Sequence, residues 1–386
     1  MTIRVLRSIH EVSATDWNAL ELRDQPFLRH EFLAALEDTH CACTATGWTP
    51  SHLLLVDDRQ LTAAVPLYLK TNSYGEFVFD FSWAQSFDRA FHHTQQHYYP
   101  KLVSAVPFTP ATGPRLLLSK QVDGNATRRE VLSALQQLCD ELQLSSAHVL
   151  FSDAAEYDAM QAANWLPRTS CQFHWFNRGY ASMDDFLATF RADKRKKTKR
   201  ERRRVLDEYG IRYQTLSGAE LSAGQWQTVF SFSENTFHQH GHEHYLSAEF
   251  LQRVARALPD QVMVKLAEHR GTPVASGIFF HSHDTLFGRY WGASGNYDSL
   301  HFETCYYQGI EFCIERGLKL FEPGTQGEHK ITRGFEPTLS YSGHYVRDAR
   351  FHQALAEHLQ LERRAVDEYA AQAREHLPFH RESAST

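Results

Sequence analysis

The sequence predicts an α/β protein built from two similar units, each a mixed sheet flanked by helices. Three observations predict it. Residues 52–70 (HLLLVDDRQLTAAVPLYLK) and 264–282 (VKLAEHRGTPVASGIFFHS) share one form, an apolar strand, a polar turn and a second strand. Asp57-Asp58-Arg59 in one turn is matched by His269-Arg270-Gly271 in the other. An aromatic run carrying Trp follows each hairpin, FVFDFSWA at 77–84 and LFGRYWGA at 286–293, and both read as strands. Segments of helical periodicity then alternate with short apolar runs in both halves. These likenesses point to duplication of one unit, and a chain of 386 residues has room for two.

In the first half PRLLL (114–118) reads as a strand. Residues 126–144 read as a helix, because Val131, Leu135, Leu138 and Leu142 recur at near-helical spacing. HVLF (148–151) is a short buried strand, a helix covers Glu156 to Asn164, and QFHWFN (172–177) is a strand. In the second half a helix over 301–317 closes on Gly317 and leads to the strand LKLF (318–321). Residues 183–210 form a helix-rich link, with Asp184 and Asp185 near its start and arginines near its end, as the helix dipole favours. Residues 349–377 form a long amphipathic helix that could mediate a homodimer, and HRESAST is a frayed tail. The expected division is a first domain over 1–178, a basic helical link over 179–210 and a second domain over 211–386.

Hydrophobic content of 42% and charged content of 22% are those of a soluble globular protein. A net charge of −6 argues against a general nucleic-acid binder. The charge is unevenly placed. Of 40 Lys and Arg, ten lie in RADKRKKTKRERRR (191–204) with two acids, which leaves 30 cations against 44 acids elsewhere. The start has no apolar run of signal-peptide length, and no stretch approaches a membrane span. Six scattered cysteines, without a CxxC pair, fit a reduced cytoplasmic compartment.

The densest chemistry lies in LKLFEPGTQGEHKITRGFEP (318–337). A strand ends at a Pro323-Gly324 turn, and Gln326, Glu328, His329, Lys330 and Arg333 follow within eight positions. Polar groups crowded past a strand end project from a rigid sheet, where sites form. Glu303 and Tyr307 are i, i+4 on the preceding helix and share a face, and Arg289 lies on the Trp291 strand. Cys305 and Cys313 read as buried helix residues rather than nucleophiles.

The element order of the second half resembles the acyltransferase fold of the GNAT superfamily. SGNYDSL (294–300) stands where that fold's pyrophosphate loop stands, without its glycine-rich signature. GWTPSHLLL, VPLYLK, SYGEFVFDFSWA, YYPKL, VPFTPATGPRLLL, GRYWG, LHFETCYYQGIE and FEPGTQGEHKITRGFEP, spread over 47–337, together resemble the FemAB-like group of peptidoglycan biosynthesis or recognition proteins. The resemblance implies two tandem GNAT-like domains. It also implies an acyl or aminoacyl transfer from acyl-CoA or aminoacyl-tRNA to an amine, plausibly of a peptidoglycan precursor, with no tightly bound cofactor. A non-catalytic module recognising peptidoglycan or a lipid-linked precursor is the alternative.

Acyl transfer to an amine needs a proton acceptor and donors for the oxyanion. Glu328, His329, Lys330 and Arg333, supported by Glu303 and Tyr307, are the expected catalytic set. Arg289, Trp291, Gln326 and Tyr245 are expected to bind substrate. In the first half Thr109, Thr112, Gly113 and Arg115 sit among Pro107, Pro110 and Pro114, a rigid turn suited to a phosphate or carboxylate, or structural with Arg115 ion-paired. Lys194, Arg195, Lys196, Lys197 and Arg200 read either as a solvated helix face or, as their density favours, as an anion-binding arm for a tRNA acceptor stem, a lipid head group or a diphosphate. His238, His240, His242 and His244 alternate as they would on one face of an extended segment, but they lack a carboxylate or Cys partner, and no metal site is expected.

Overall fold

The computed structural model describes residues 2–94, 96–324 and 327–380. It comprises two compact units, Met1–Ser170 with Leu339–Glu368 and Cys171–Thr338 with Tyr369–Thr386. The expected linear succession of 1–178, 179–210 and 211–386 is therefore replaced by a discontinuous one. The cause is packing. Strand Glu336–Val346 pairs with Ser146–Ser152 through Gly343↔Val149, His344↔His148 and Tyr345↔Ala147. Helix Ala349–Glu375 buries Phe351, Leu355 and Leu359 in one cluster with Trp83, Phe87 and Tyr98. That apolar stripe, offered by the sequence to a dimer, is thus covered by the chain's own first unit.

In the first unit, four antiparallel strands run in the order Thr2–Leu6, His52–Asp57, Gln60–Val65, Leu117–Leu118. A second set places Trp48–Pro50 beside Leu67–Lys70, then Lys101–Ser104, then Ser146–Ser152. The last two are parallel, and helix Gly124–Glu141 makes the crossover between them. Asp123 caps that helix by accepting from the amides of Asn125 and Ala126, and Val131, Leu132, Leu135 and Cys139 bury its inner face. The strand expected over 77–84 is not formed. Phe81–Ala90 is a helix, because Trp83, Ala84 and Phe87 cover one helical face while Phe79 and Phe81 stay exposed.

Lys70 and Lys101 stand opposite each other across two strands, both buried. Lys101 donates to Glu76 at 2.9 Å and also to Asp80. Burial pushes both carboxyls up. The Lys101 ammonium overcomes this for Asp80, held at about 2, but not for Glu76, raised to about 7.

In the second unit, Ile211–Ser217, Val262–His269, Thr272–His281 and Thr285–Ala293 form an antiparallel run. Leu320–Glu322 joins it parallel to Thr285–Ala293, and the end of Leu166–Phe176 follows antiparallel. Helix Ala223–Gln239 lies directly on the sheet at Gly292, where a Cβ would stand 1.8 Å from the Phe232 carbonyl oxygen. Helix Gln308–Arg316 ends on Gly317 as expected. No helix is long and apolar enough to cross a membrane among the described residues.

Burial holds several histidines neutral: His148 and His174 fall to about 3. Their folded values lie below the usual 6.5, so the unfolded chain binds the extra protons, and stability present above about pH 6.5 is lost as pH falls toward about 3. The denaturant midpoint will fall accordingly between pH 7 and pH 4.5. In His148→Gln the difference between the two pH values will shrink by roughly 1–3 kcal/mol.

Candidate active site

The two parallel strands of the second unit pair over only three residues, Thr285↔Leu320 to Phe287↔Glu322. Beyond them the strands part. Pro323 has no N–H to continue the ladder, and Gly324 turns away at φ +96°. On the other strand the register slips where Phe279 pairs with Gly288 and Ile278 with Tyr290, so Arg289 is the extra residue of a β-bulge. Such bulges re-aim a side chain beside a site. The gap is a crevice of about 140 Å³. Ile278 and Phe279 line it from one strand, Arg289 and Trp291 from the next, and Cys305 and Tyr306 from the helix above. A crevice outside the carboxyl ends of parallel strands is where open α/β sheets take ligands.

Pro323 lines this crevice, and the loop that follows meets Tyr306, another lining residue, through His329. Residues Glu328–Arg333 form a 3-10 turn. Lys330 is buried, and its Nζ donates to the Gly324 carbonyl at 2.7 Å. Burial, with no carboxylate against it among the described residues, pushes the ammonium down to about 7. His329 is exposed, with Nε2 2.8 Å from the Tyr306 hydroxyl. Partial burial, with Lys330 and Arg333 nearby, lowers its pKa below the ordinary value. His301, also on the crevice wall, is pushed by burial to about 4.

Glu303, Tyr307 and Arg333, expected in the catalytic set, are not among the residues that line the crevice. The helix begun at Leu300 is π-wound over Glu303–Tyr307, and this turn is clamped to the basic helix Ala192–Arg203. Arg202 holds both Glu303 oxygens at 3.0 and 3.1 Å and reaches Glu311 at 2.8 Å. Burial pushes the Glu303 carboxyl up, and the guanidinium of Arg202 acts against it. Glu201 accepts from Tyr307 Oη at 2.7 Å and from Arg333 Nη2 at 2.9 Å. Arg333 also donates to the His329 carbonyl at 2.7 Å and stacks on Phe302, its Cζ 3.4 Å from the ring centre. These groups hold the loop in place rather than line the crevice. Glu201 and Arg202 were missed as site-building residues. The available signal was Glu201 itself, an acid inside a cationic run.

The remaining expected residues divide clearly. Arg289 and Trp291 are in the crevice, while Gln326 lies outside the described residues. Glu328 points elsewhere, accepting from Tyr369 Oη at 3.1 Å. Tyr245 packs edge-on against Phe237. In the first unit the turn expected to grip an anion is filled by its own side chain. Arg115 is fully buried and donates to the carbonyls of Ala111, Gly113 and Pro114, and Thr109 donates to Pro107 O. Gln25 lies against Gly113 and donates to Thr112 O. Glu156 accepts from the amides of Arg115 and Leu116, and burial raises it to about 8.

Of the arm, Lys196, Lys197 and Arg200 are exposed, while Lys194 and Arg195 are half-buried. A larger cleft of about 730 Å³ runs beside this helix, lined by Lys199 and Arg203 but also by Asp184 and Glu315; its mixed charge makes it the weaker candidate for chemistry. Asp298, in the loop likened to a pyrophosphate site, is paired with Arg204 and puts an acid at the helix start. His238 is helical, and His244 is held by Ser233 at 2.9 Å and the Leu246 amide, so the four histidines do not share an extended face. No group of three or more His, Cys, Asp or Glu side chains is arranged for a metal among the described residues.

Glu201→Ala would leave Arg333 buried without its carboxylate, and should cost about 3 kcal/mol by denaturant unfolding. Glu201→Gln, which keeps an acceptor, should cost less.

The model of the FemAB-like family, described as peptidoglycan biosynthesis and recognition, matches residues 8–381. No curated protein matches the sequence. The fold is shared with a crystal structure of FemX, at TM-score 0.50 and 9% identity over 81% of this chain and 92% of that one. It is also shared with L-PGS from Bacillus licheniformis, at TM-score 0.50 and 9% identity over 85% and 96%. The chain belongs to the FemAB-like family, and it shares its fold with FemX and L-PGS.

Proposed function

We propose that this FemAB-like protein is an N-acyltransferase whose working crevice lies in the second unit. The donor is an activated acyl or aminoacyl group on a phosphate-bearing carrier, CoA or tRNA. The acceptor is an amine of a peptidoglycan precursor, in keeping with the family. The observation that carries this reading is Lys330, a buried lysine with a depressed pKa beside the gap between two parted parallel strands.

The acceptor amine attacks the activated carbonyl. A C–N bond forms, and the C–S or C–O bond to the carrier breaks. The neutral Lys330 amine takes the proton from the attacking nitrogen and returns it to the departing thiolate or alkoxide. Arg289, carried by the bulge, offers N–H groups to the carbonyl oxygen as it becomes anionic. His329 and Tyr306 orient the acceptor at the loop side. Lys196, Lys197 and Arg200 meet the phosphates of the carrier, which makes carrier binding weaken with salt.

Transfer is tested by incubating the protein with acyl-CoA or charged tRNA and an amine-bearing muropeptide precursor, followed by mass spectrometry. Because Lys330 must be neutral to act as a base, kcat/KM rises with pH and levels off above about 7. Lys330→Met lowers the rate by about 10²–10⁴-fold and removes that rise. An unchanged rate and pH profile in Lys330→Met would refute the role.

A further inference from the structure

The second unit holds a further cleft, of about 520 Å³, which shares no lining residue with the crevice. Its floor is apolar, because Met263, Phe312 and Leu318 of the packed core reach its surface. Three basic groups surround the Phe312 ring. The Arg316 guanidinium carbon, the Lys265 ammonium and the centre of the His281 ring each lie 5.7 Å from its centre. Lys265 is only 4% exposed, and its Nζ donates at 2.8 Å to Oγ1 of Thr215, its cross-strand partner and a residue of the cleft wall. Neither Lys265 nor Arg316 is ion-paired with a carboxylate among the described residues. Burial lowers the Lys265 pKa, with Glu315 and Glu311 acting against it through space. An ammonium buried without a carboxylate in contact is costly, and a bound anion offsets that cost.

The other rim is acidic. Glu220 follows the outermost strand, Ile211–Ser217, and Asp260 precedes the next, Val262–His269. The Ser217 amide donates to Glu220 at 2.7 Å and holds its carboxyl below the ordinary range. Asp260 is exposed. Positive charge thus gathers at the floor and the helix side, negative charge at the outer strands, and apolar surface lies between them. We infer that this cleft binds a small zwitterion of the amino-acid class, a free amino acid or a short peptide. Its carboxylate meets Arg316 and Lys265, its ammonium meets Glu220 and Asp260, and its side chain rests on Phe312. A polyanion would meet two carboxylates, and a simple amine would leave the cations unmatched. The site does not rest on the acyl-transfer reading of the crevice.

The test is calorimetric titration of the whole chain with L-leucine, L-leucyl-L-leucine, N-acetyl-L-leucine, L-leucinamide and inorganic phosphate. Expected is saturable binding of leucine or the dipeptide. Each blocked probe should bind about tenfold more weakly or worse, the cost of one lost charge-assisted contact. Arg316 and Glu220 are exposed, so their variants keep the fold. Arg316→Gln lowers affinity for the zwitterion about tenfold and leaves that for leucinamide, which has no carboxylate, unchanged. Glu220→Gln combined with Asp260→Asn does the reverse, sparing N-acetyl-leucine. N-acetyl-leucine binding as tightly as leucine, or phosphate binding more tightly, overturns the zwitterion assignment. No saturable binding of any probe, or binding indifferent to Arg316→Gln, overturns the site.

Discussion

The second unit depends on where a parallel pairing stops. Three residues of ladder join Thr285–Phe287 to Leu320–Glu322, and Pro323 ends it because it lacks a donor. If pairing continued, Gly288 to Trp291 would face another strand and no crevice would exist. The bulge at Arg289 has the same origin, since the strand that loses its neighbour on one side can slip register on the other. The polar loop, the helix above it and the clamp from the basic helix are all arranged around that opening.

The first unit shows what happens when the equivalent opening is filled. Its parallel strands, paired from Leu102↔Ala147 to Ser104↔Val149, also end in a turn. There Arg115 turns back on three carbonyls of its own segment, and the Gly113 amide donates to Phe151 O. A guanidinium satisfied by neutral carbonyls inside a closed turn has little to offer a ligand. The parallel pair is thus a scaffold in the first unit and, in our reading, the edge of a working crevice in the second.

The hairpins at 52–70 and 264–282, the crossover helices and the turn at Pro323-Gly324 were legible in the sequence, because each rests on local periodicity or turn chemistry. The features that escaped depend on distant partners. The segment 77–84 alternates no more clearly as a strand than as a helix, and only its burial against Phe351 and Leu355 decides for the helix. Glu303 and Tyr307 were rightly placed together, but nothing local says that a π-turn presents them to Glu201 and Arg202, about a hundred residues earlier. The bulge at Arg289 is equally invisible, since it is a mismatch between two strands and not a property of either. Basic runs invite a reading by net charge, which hides the one acid that organises the loop.

Three buried lysines show why charge partners decide which amine can do chemistry. Lys101 meets two carboxylates and is held more firmly protonated than a free lysine. Lys70 meets the Trp48 ring, Asn72 Oδ1 and Tyr74 O, and among the described residues Lys330 meets the Gly324 carbonyl; burial lowers both to about 7. Equal pKa values do not make them equal candidates. Lys70 lies beneath an indole ring, whereas Lys330 bonds the carbonyl of the residue that follows Pro323, a crevice-lining residue. A proton acceptor must reach the atom it deprotonates, so geometry separates two amines that electrostatics alone would treat alike.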